Sequence, residues 1–554
     1  MGTSRQPTSV RRGVRDRSPV RRRRRHGDLA AAWQPGPRTA TVPAMSDETT
    51  TPERQGDNPP EHHSTGQQAA TTDHEPPRGA TTHHRFQSDG GDDFAYEATA
   101  DWLVLRKDEK PAAELFFVAY TRSESKVSQR PVTFVLNGGP GAAAVYLHLG
   151  AMGPYRAVFN ADGRPPEPPA ELETNPDSWL PFTDLVFIDP VGTGWSRTIE
   201  GENKSSESQS ASSEGEFYEI GKDLDAICEF VTRWLSSYGR WRSPVYFAGE
   251  SYGGFRVARI SRRLQESHGV GLNGIFLVSP VFEFKELMPT DYDALGYIDR
   301  LPSMAAAAHY HGRQRETGGE AALDEVLDTA ESFATNDYAL LLVQGRGLGA
   351  EQAAAIQARA ARLIGLSEDE LQRTEGRIDM GRFARELLRD QRLVCGVHDA
   401  SATLEDPYPD RPCQEGPDPA LFAVDRVFGA AINAHLRENL GISTERHYRL
   451  INFDINQAWK RERDRHGLDA RIGATDDLRY GMALNPYMSV SIIHGVYDLV
   501  TPYLASQRLI GLMKLSEAQQ RRLALTNVPG GHMFYLRDDA RARFAALGRE
   551  RIQG

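Results

Sequence analysis

Cysteine is scarce in this chain: three residues, Cys228, Cys395 and Cys413, among 554. Three thiols cannot make a disulfide framework, so the fold must be held by a hydrophobic core. Cys228 falls on the apolar side of a helical pattern and reads as core packing. Cys395 and Cys413 could pair, yet their number suits a reducing compartment at least as well. The cytoplasm is the expected location; secretion would need a signal peptide, and no clear one is present. Long apolar runs are missing too. No stretch of about 18 apolar residues occurs, so no membrane span is expected. Nor is there a surplus of positive charge: 65 Lys and Arg stand against 76 Asp and Glu, a net of −11. The molecule as a whole therefore offers no electrostatic case for nucleic acid or an anionic membrane. Internal repeats are absent. What is there, 39% hydrophobic and 25% charged residues, suits a soluble globular protein, and the length allows two to four domains.

Residues 1–90 are expected to be a disordered leader. The first 26 hold ten arginines, Arg21 to Arg25 in a row, and the next sixty are mostly Thr, Pro, Gly, Glu, Asp and His. Such a segment buries too little apolar surface to offset its ordering entropy. An arginine run suggests a nucleic-acid tether or a twin-arginine export signal. Export needs an apolar stretch after the arginines, and His26-Gly-Asp-Leu-Ala-Ala-Ala-Trp33 is too short and too weak. Translation starting at Met45 would leave the basic leader outside the protein, and that is the expectation.

Order is expected from about Phe94. Tyr96 to Leu105 and Ala113 to Tyr120 alternate as hairpin strands do. Pro131 to Leu136 and Asp184 to Asp189 are continuous apolar runs, typical of strands covered on both faces. Phe217, Ile220, Leu224, Ile227, Val231, Trp234 and Leu235 mark an amphipathic helix. Further strands are expected at Val245 to Ala248, Gly274 to Val278, Met488 to Ile493 and Leu523 to Val528, with an Arg- and Ala-rich helix closing the chain. Strands alternating with helices predict an α/β class with a mostly parallel central sheet. Residues 286–475 are rich in helix formers and read as a helical cap inserted between two parts of the core, 91–285 and 476–554.

Chemistry centres on Gly249-Glu250-Ser251-Tyr252-Gly253, which turns an apolar strand into a helix and matches G-x-S-x-G. Such an elbow pushes a serine hydroxyl out above the sheet, while small flanking residues let strand and helix pass closely. Acyl transfer by serine also needs a base, an acid to orient that base, and donors for the oxyanion. Two later strands end in suitable residues, Asp498 and His532, in the order Ser, Asp, His. Taken singly, Asp498 could be a helix cap before Thr501-Pro502, and His532 a surface-loop histidine.

With these residues, Asn137-Gly-Gly-Pro-Gly141, Asn175-Pro-Asp-Ser-Trp179, Asp189-Pro-Val-Gly-Thr-Gly-Trp-Ser196 and Gly530-Gly-His-Met533 complete a set of motifs. Together they resemble the serine carboxypeptidase family, which has an α/β-hydrolase fold, from about Phe94 to the C-terminus. The resemblance implies Ser251 as nucleophile, His532 as general base and then acid, and Asp498 as the residue orienting its imidazole. It implies an oxyanion hole from the backbone N–H groups of Gly139 and Tyr252. It assigns recognition of a peptide's free carboxylate to Asn137, Gly138 and Glu250. A Glu facing a carboxylate repels it unless a proton is shared.

Three departures stand out. The second glutamate usual in the family is Ala151, so the expected carboxylate pair is broken. Ala142, Ala143 and Ala144 replace the Cys and Ser residues that usually follow, and Asp189-Pro190 is one residue shorter than the family's Asp-Gln-Pro. No cofactor or metal is expected: His148 and His494 lack ligand spacing, while His62-His63 and His83-His84 fall in the leader. The glycines at 138–141 have no Lys-Ser/Thr pair after them, which argues against phosphate binding. The expected function is a serine carboxypeptidase acting on peptides with a free C-terminus through an acyl-enzyme. An esterase or acyltransferase on the same scaffold is the alternative that Ala151 favours, and an inactive binding protein a third. A homodimer is left open.

Overall fold

A computed structural model of the chain describes residues 74–88, 90–123, 129–199, 217–318, 320–411, 418–460 and 472–554. The arginine run, Met45, His62-His63 and Cys413 lie outside the described residues, as does the expected leader up to residue 73. From Ala80 onward the chain is strand, so structure begins before the boundary expected at residue 90. This first strand, β1 (Ala80–Gln87), buries only Phe86. Its apolar signal is weak because it is an edge strand held by backbone pairing to its neighbour. His83 and His84 therefore belong to a strand and not to a leader, and the His84 ring stacks on Tyr96 with centroids 5.2 Å apart.

The strands that follow are β2 (Asp93–Lys107), β3 (Lys110–Arg122), β4 (Val132–Leu136), β5 (Asp184–Ile188), β6 (Val245–Glu250), β7 (Gly274–Val278), β8 (Ser489–Gly495) and β9 (Leu523–Val528). They join β1 in one sheet ordered 1-2-3-5-4-6-7-8-9, with the short strand Arg197–Thr198 beside β3. The first pairings are antiparallel, and from β5 to β9 every pairing is parallel. This is the α/β-hydrolase fold. All five residues of β4, β5 and β7 are buried, as continuous apolar runs require in a sheet covered on both faces.

One face carries α1 (Ile220–Ser237) and α2 (Tyr252–Ser267); Leu224, Trp234, Phe255 and Ile260 meet Phe134, Phe247 and Ile492 there. The apolar stripe read from Phe217 to Leu235 is the buried side of α1. The other face is covered by Trp179, Phe428 and Phe544.

The insertion is helical, but it is not one body. Its first part, with α3 (Leu295–Tyr310), α4 (Leu323–Phe333) and α5 (Ala350–Ile364), builds a separate apolar cluster around Leu301, Ala330 and Ala360. Val496, Tyr497 and Leu499, which flank Asp498, join that cluster. The second part, with α6 (Phe422–Ala434), packs into the sheet's own core through Val424, Phe428 and Ile432. Helix formers mark both halves of 286–475, but only packing tells which core each half joins. A small antiparallel pair, Leu393–Cys395 with Thr403–Glu405, interrupts the helices. Cys228 and Cys395 are free and buried. No described helix is long and apolar enough to cross a membrane.

Candidate active site

Ser251 sits between β6 and α2 at φ 59°, ψ −120°, a conformation costly for any residue with a Cβ. The elbow holds because its neighbours leave no room for anything larger than glycine. A Cβ on Gly253 would lie 2.7 Å from the Leu136 carbonyl oxygen, and one on Gly138 2.7 Å from the Tyr252 nitrogen. The Asn137-Gly138-Gly139 loop thus lies directly against the elbow. Gly139 and Tyr252 both line the cavity with Ser251. Tyr252 opens α2, so its N–H has no acceptor within the helix. These are the two positions assigned to the oxyanion hole.

Asp498 follows β8 and His532 follows β9, neighbouring parallel strands. The fold brings them together: His532 Nδ1 lies 2.6 Å from Asp498 Oδ2. Thr501 completes the corner, its hydroxyl donating to Asp498 Oδ2 at 2.6 Å and its N–H to Oδ1 at 3.0 Å. The Val500 N–H donates to Oδ1 at 2.8 Å. Burial alone would raise Asp498, yet the His532 ring and the Thr501 bonds hold it down to about 2. Burial alone would lower His532, and the Asp498 carboxylate outweighs it, raising the imidazole above its ordinary value. Ser251 and His532 face one cavity of about 240 Å³, without a hydrogen bond closing between them. Such contacts are often long in the free enzyme and tighten on substrate.

Glu250, one residue before the serine, is buried beside Asn137. Asn137 Nδ2 donates to Glu250 Oε2, and Asn137 Oδ1 accepts the Leu147 N–H at 3.1 Å. Burial pushes the Glu250 carboxyl up to about 7, against the opposing pull of His532, Tyr535 and Asn137. Where the family pattern puts a second carboxylate, Ala151 is buried and makes no side-chain polar contact. Glu250 is held instead by the Tyr535 hydroxyl, 2.9 and 3.0 Å from its two oxygens. Tyr535 reaches that spot because Gly150 has no side chain: a Cβ there would fall 2.7 Å from the tyrosine ring.

Other motif residues are structural. Asn175 Nδ2 donates to the Ala151 and Gly153 carbonyls, bracing the loop beneath the cavity. Buried Asp189 accepts the Ala144 N–H at 2.9 Å. His148 Nε2 bonds Tyr120, and His494 Nε2 bonds Ser506, each at 2.7–2.8 Å. Arg256 of α2 pairs with Asp223 of α1 and donates to the Asn137 carbonyl, tying the carboxylate corner to both helices. Among the described residues no group of three His, Cys, Asp or Glu assembles that could hold a metal.

Of the residues singled out in the sequence, Ser251, Asp498, His532, Asn137, Gly138, Gly139, Glu250 and Tyr252, all but Asp498 line one cavity. Sequence reasoning missed Thr501 as a partner of Asp498, Tyr535 as a partner of Glu250, and His398, which lines the same cavity. Tyr535 stands three residues past His532, and that proximity was its only available signal.

Residues 93–336 match the family model described as serine carboxypeptidase. The chain is 27% identical over 192 residues to the pheromone-processing carboxypeptidase kex1 of Sclerotinia sclerotiorum, covering 32% of this chain and 27% of that protein. It is 26% identical over 219 residues to serine carboxypeptidase-like 44 of Arabidopsis thaliana, covering 37% of this chain and 40% of that protein. To kex1 of Aspergillus clavatus it is 31% identical over 164 residues, covering 29% and 23% respectively. It thus spans between about a quarter and two fifths of these relatives' lengths. The matched segment includes the elbow and the Asn137 loop; Asp498 and His532 lie beyond it and are joined to them by the fold. Over residues 93–336, somewhat under half of its length, the chain is similar to the serine carboxypeptidase family.

Proposed function

We propose that the protein removes C-terminal residues from peptides through an acyl-enzyme formed on Ser251. The observation that carries this reading is the His532–Asp498 pair at one edge of a cavity whose other edge holds Ser251, Glu250 and Asn137. His532 Nε2 takes the Ser251 hydroxyl proton as Oγ attacks the last peptide carbonyl. Asp498 holds the imidazole by Nδ1 and stabilises the cation that forms. The N–H groups of Gly139 and Tyr252 donate to the oxyanion. His532 then gives its proton to the leaving amine, and the C–N bond breaks. Water, deprotonated by His532, releases the acyl group and restores Ser251. Asn137 and Glu250 receive the free carboxylate of the leaving residue; with its proton on, Glu250 donates to it, and ionised it repels.

The absence of a second carboxylate at Ala151 favours one other reading, an esterase or acyltransferase working through the same triad. Blocked dipeptides with free or amidated C-termini separate the two. Release of the last residue from the free acid alone supports the carboxypeptidase, and turnover confined to simple esters overturns it. Fluorophosphonate labelling that is lost in Ser251→Ala tests the nucleophile itself.

A further inference from the structure

A second histidine stands in the wall of the Ser251 cavity, unused by the steps above. His398 follows the short strand Leu393–Cys395 within the insertion and lines the cavity with its side chain partly exposed. Its carbonyl accepts the His532 N–H at 2.5 Å, and its ring meets the His532 ring at 77°, with centroids 5.4 Å apart. His398 Nδ1 lies 3.3 Å from Asp418 Oδ2. An ionised carboxylate only accepts, so Nδ1 carries hydrogen. Asp418 is itself fixed, taking N–H groups from Val397 at 2.7 Å and Ala420 at 2.8 Å. Its burial would favour the neutral acid, but the bonds from His398 and these backbone groups outweigh that and keep it ionised. The ring is thereby oriented with Nε2 away from Asp418, and no described residue bonds Nε2.

The cavity lacks what this nitrogen can offer. No lysine or arginine is among the described residues lining it. A peptide carboxylate entering there meets the Glu250 side chain and, for positive charge, two histidines. His532 is committed to Asp498 and must be free to take the Ser251 proton. His398 is left.

We propose that His398 is a substrate-binding residue whose protonated ring donates from Nε2 to the substrate's free C-terminal carboxylate, with Asp418 holding the ring in place. The inference rests on the carboxypeptidase reading and adds a cationic donor to the neutral ones of Asn137 and Glu250. Hydrogen bonds between charged partners are the stronger kind, and losing one costs about tenfold or more in binding.

The test compares wild type, His398→Gln and Asp418→Asn on a blocked dipeptide with a free C-terminus and on a small ester that has no carboxylate. The expected result is an approximately tenfold fall in the ratio of kcat/KM for dipeptide over ester in His398→Gln, carried by KM, with a smaller fall in Asp418→Asn. An unchanged ratio in both variants overturns the proposal, including the case where both substrates suffer equally because His532 has lost its support. Protection of Ser251 from a fluorophosphonate by N-acetylphenylalanine, against its amide, reads the same contact without turnover. Protection by the acid alone, weakened in His398→Gln, upholds the histidine's role even if no dipeptide is cleaved and the carboxypeptidase reading falls. Equal protection by acid and amide, or none by either, sinks it.

Discussion

Two carboxylates of this site are both hidden from water and behave in opposite ways. Asp498 is held down to about 2 while Glu250 is pushed up to about 7. Burial penalises charge in both, so burial does not separate them. The difference lies in the partners. Asp498 faces an imidazole that can become a cation, and also receives a hydroxyl and two backbone N–H groups. Glu250 faces an amide and a phenol, donors that stabilise charge more weakly. One acid is thus kept ionised beside the imidazole, and the other is left close to neutrality.

The comparison can be broken at several points. Ser251→Ala removes the group that the Asp498 corner serves, and kcat should fall about 10⁴-fold or more while peptide binding persists. Asp498→Asn keeps the shape but reverses one hydrogen bond, favouring the wrong His532 tautomer; kcat should fall about 10³- to 10⁴-fold with KM little altered. Steady-state kinetics reads both, and a comparable loss in KM would mean that Asp498 shapes the carboxylate site instead. Thr501→Val takes one donor from Asp498 at nearly constant volume, and about a tenfold loss in kcat is expected.

The Glu250 corner should respond through KM and pH. Because burial raises this carboxyl, it is protonated below about pH 7 and ionised above it. KM for free-acid peptides should therefore climb as pH passes upward through about 7, while KM for esters stays flat. Tyr535→Phe removes a bond that favours the ionised form, so the climb should move upward by about one pH unit. Glu250→Gln has nothing to ionise at this position, and the climb should flatten. A KM profile unchanged in Glu250→Gln would place the titrating group elsewhere.

Legibility followed the range over which each feature is determined. The continuous apolar runs at Val132–Leu136 and Asp184–Ile188 announced buried parallel strands because covering both faces leaves no polar positions. The edge strand Ala80–Gln87 escaped notice because backbone pairing, with one buried phenylalanine, is most of what holds it. Asp498 and His532 were visible because loops at strand ends are where an α/β sheet presents its chemistry. His398 was not, since it stands between two short strands of the insertion with no motif around it. The packing of the insertion was not legible for a related reason: helix propensity says nothing about which core a helix will join.

From the chain alone came the elbow, the order of serine, aspartate and histidine, and the strands that carry them, since each is written in a few adjacent residues. Only the folded molecule decided which neighbours a buried carboxylate finds. Glu250 and Tyr535 are 285 positions apart, and they meet through a gap left by Gly150. Local pattern reports the period and the turn; the charge a buried group carries depends on whatever the fold brings against it.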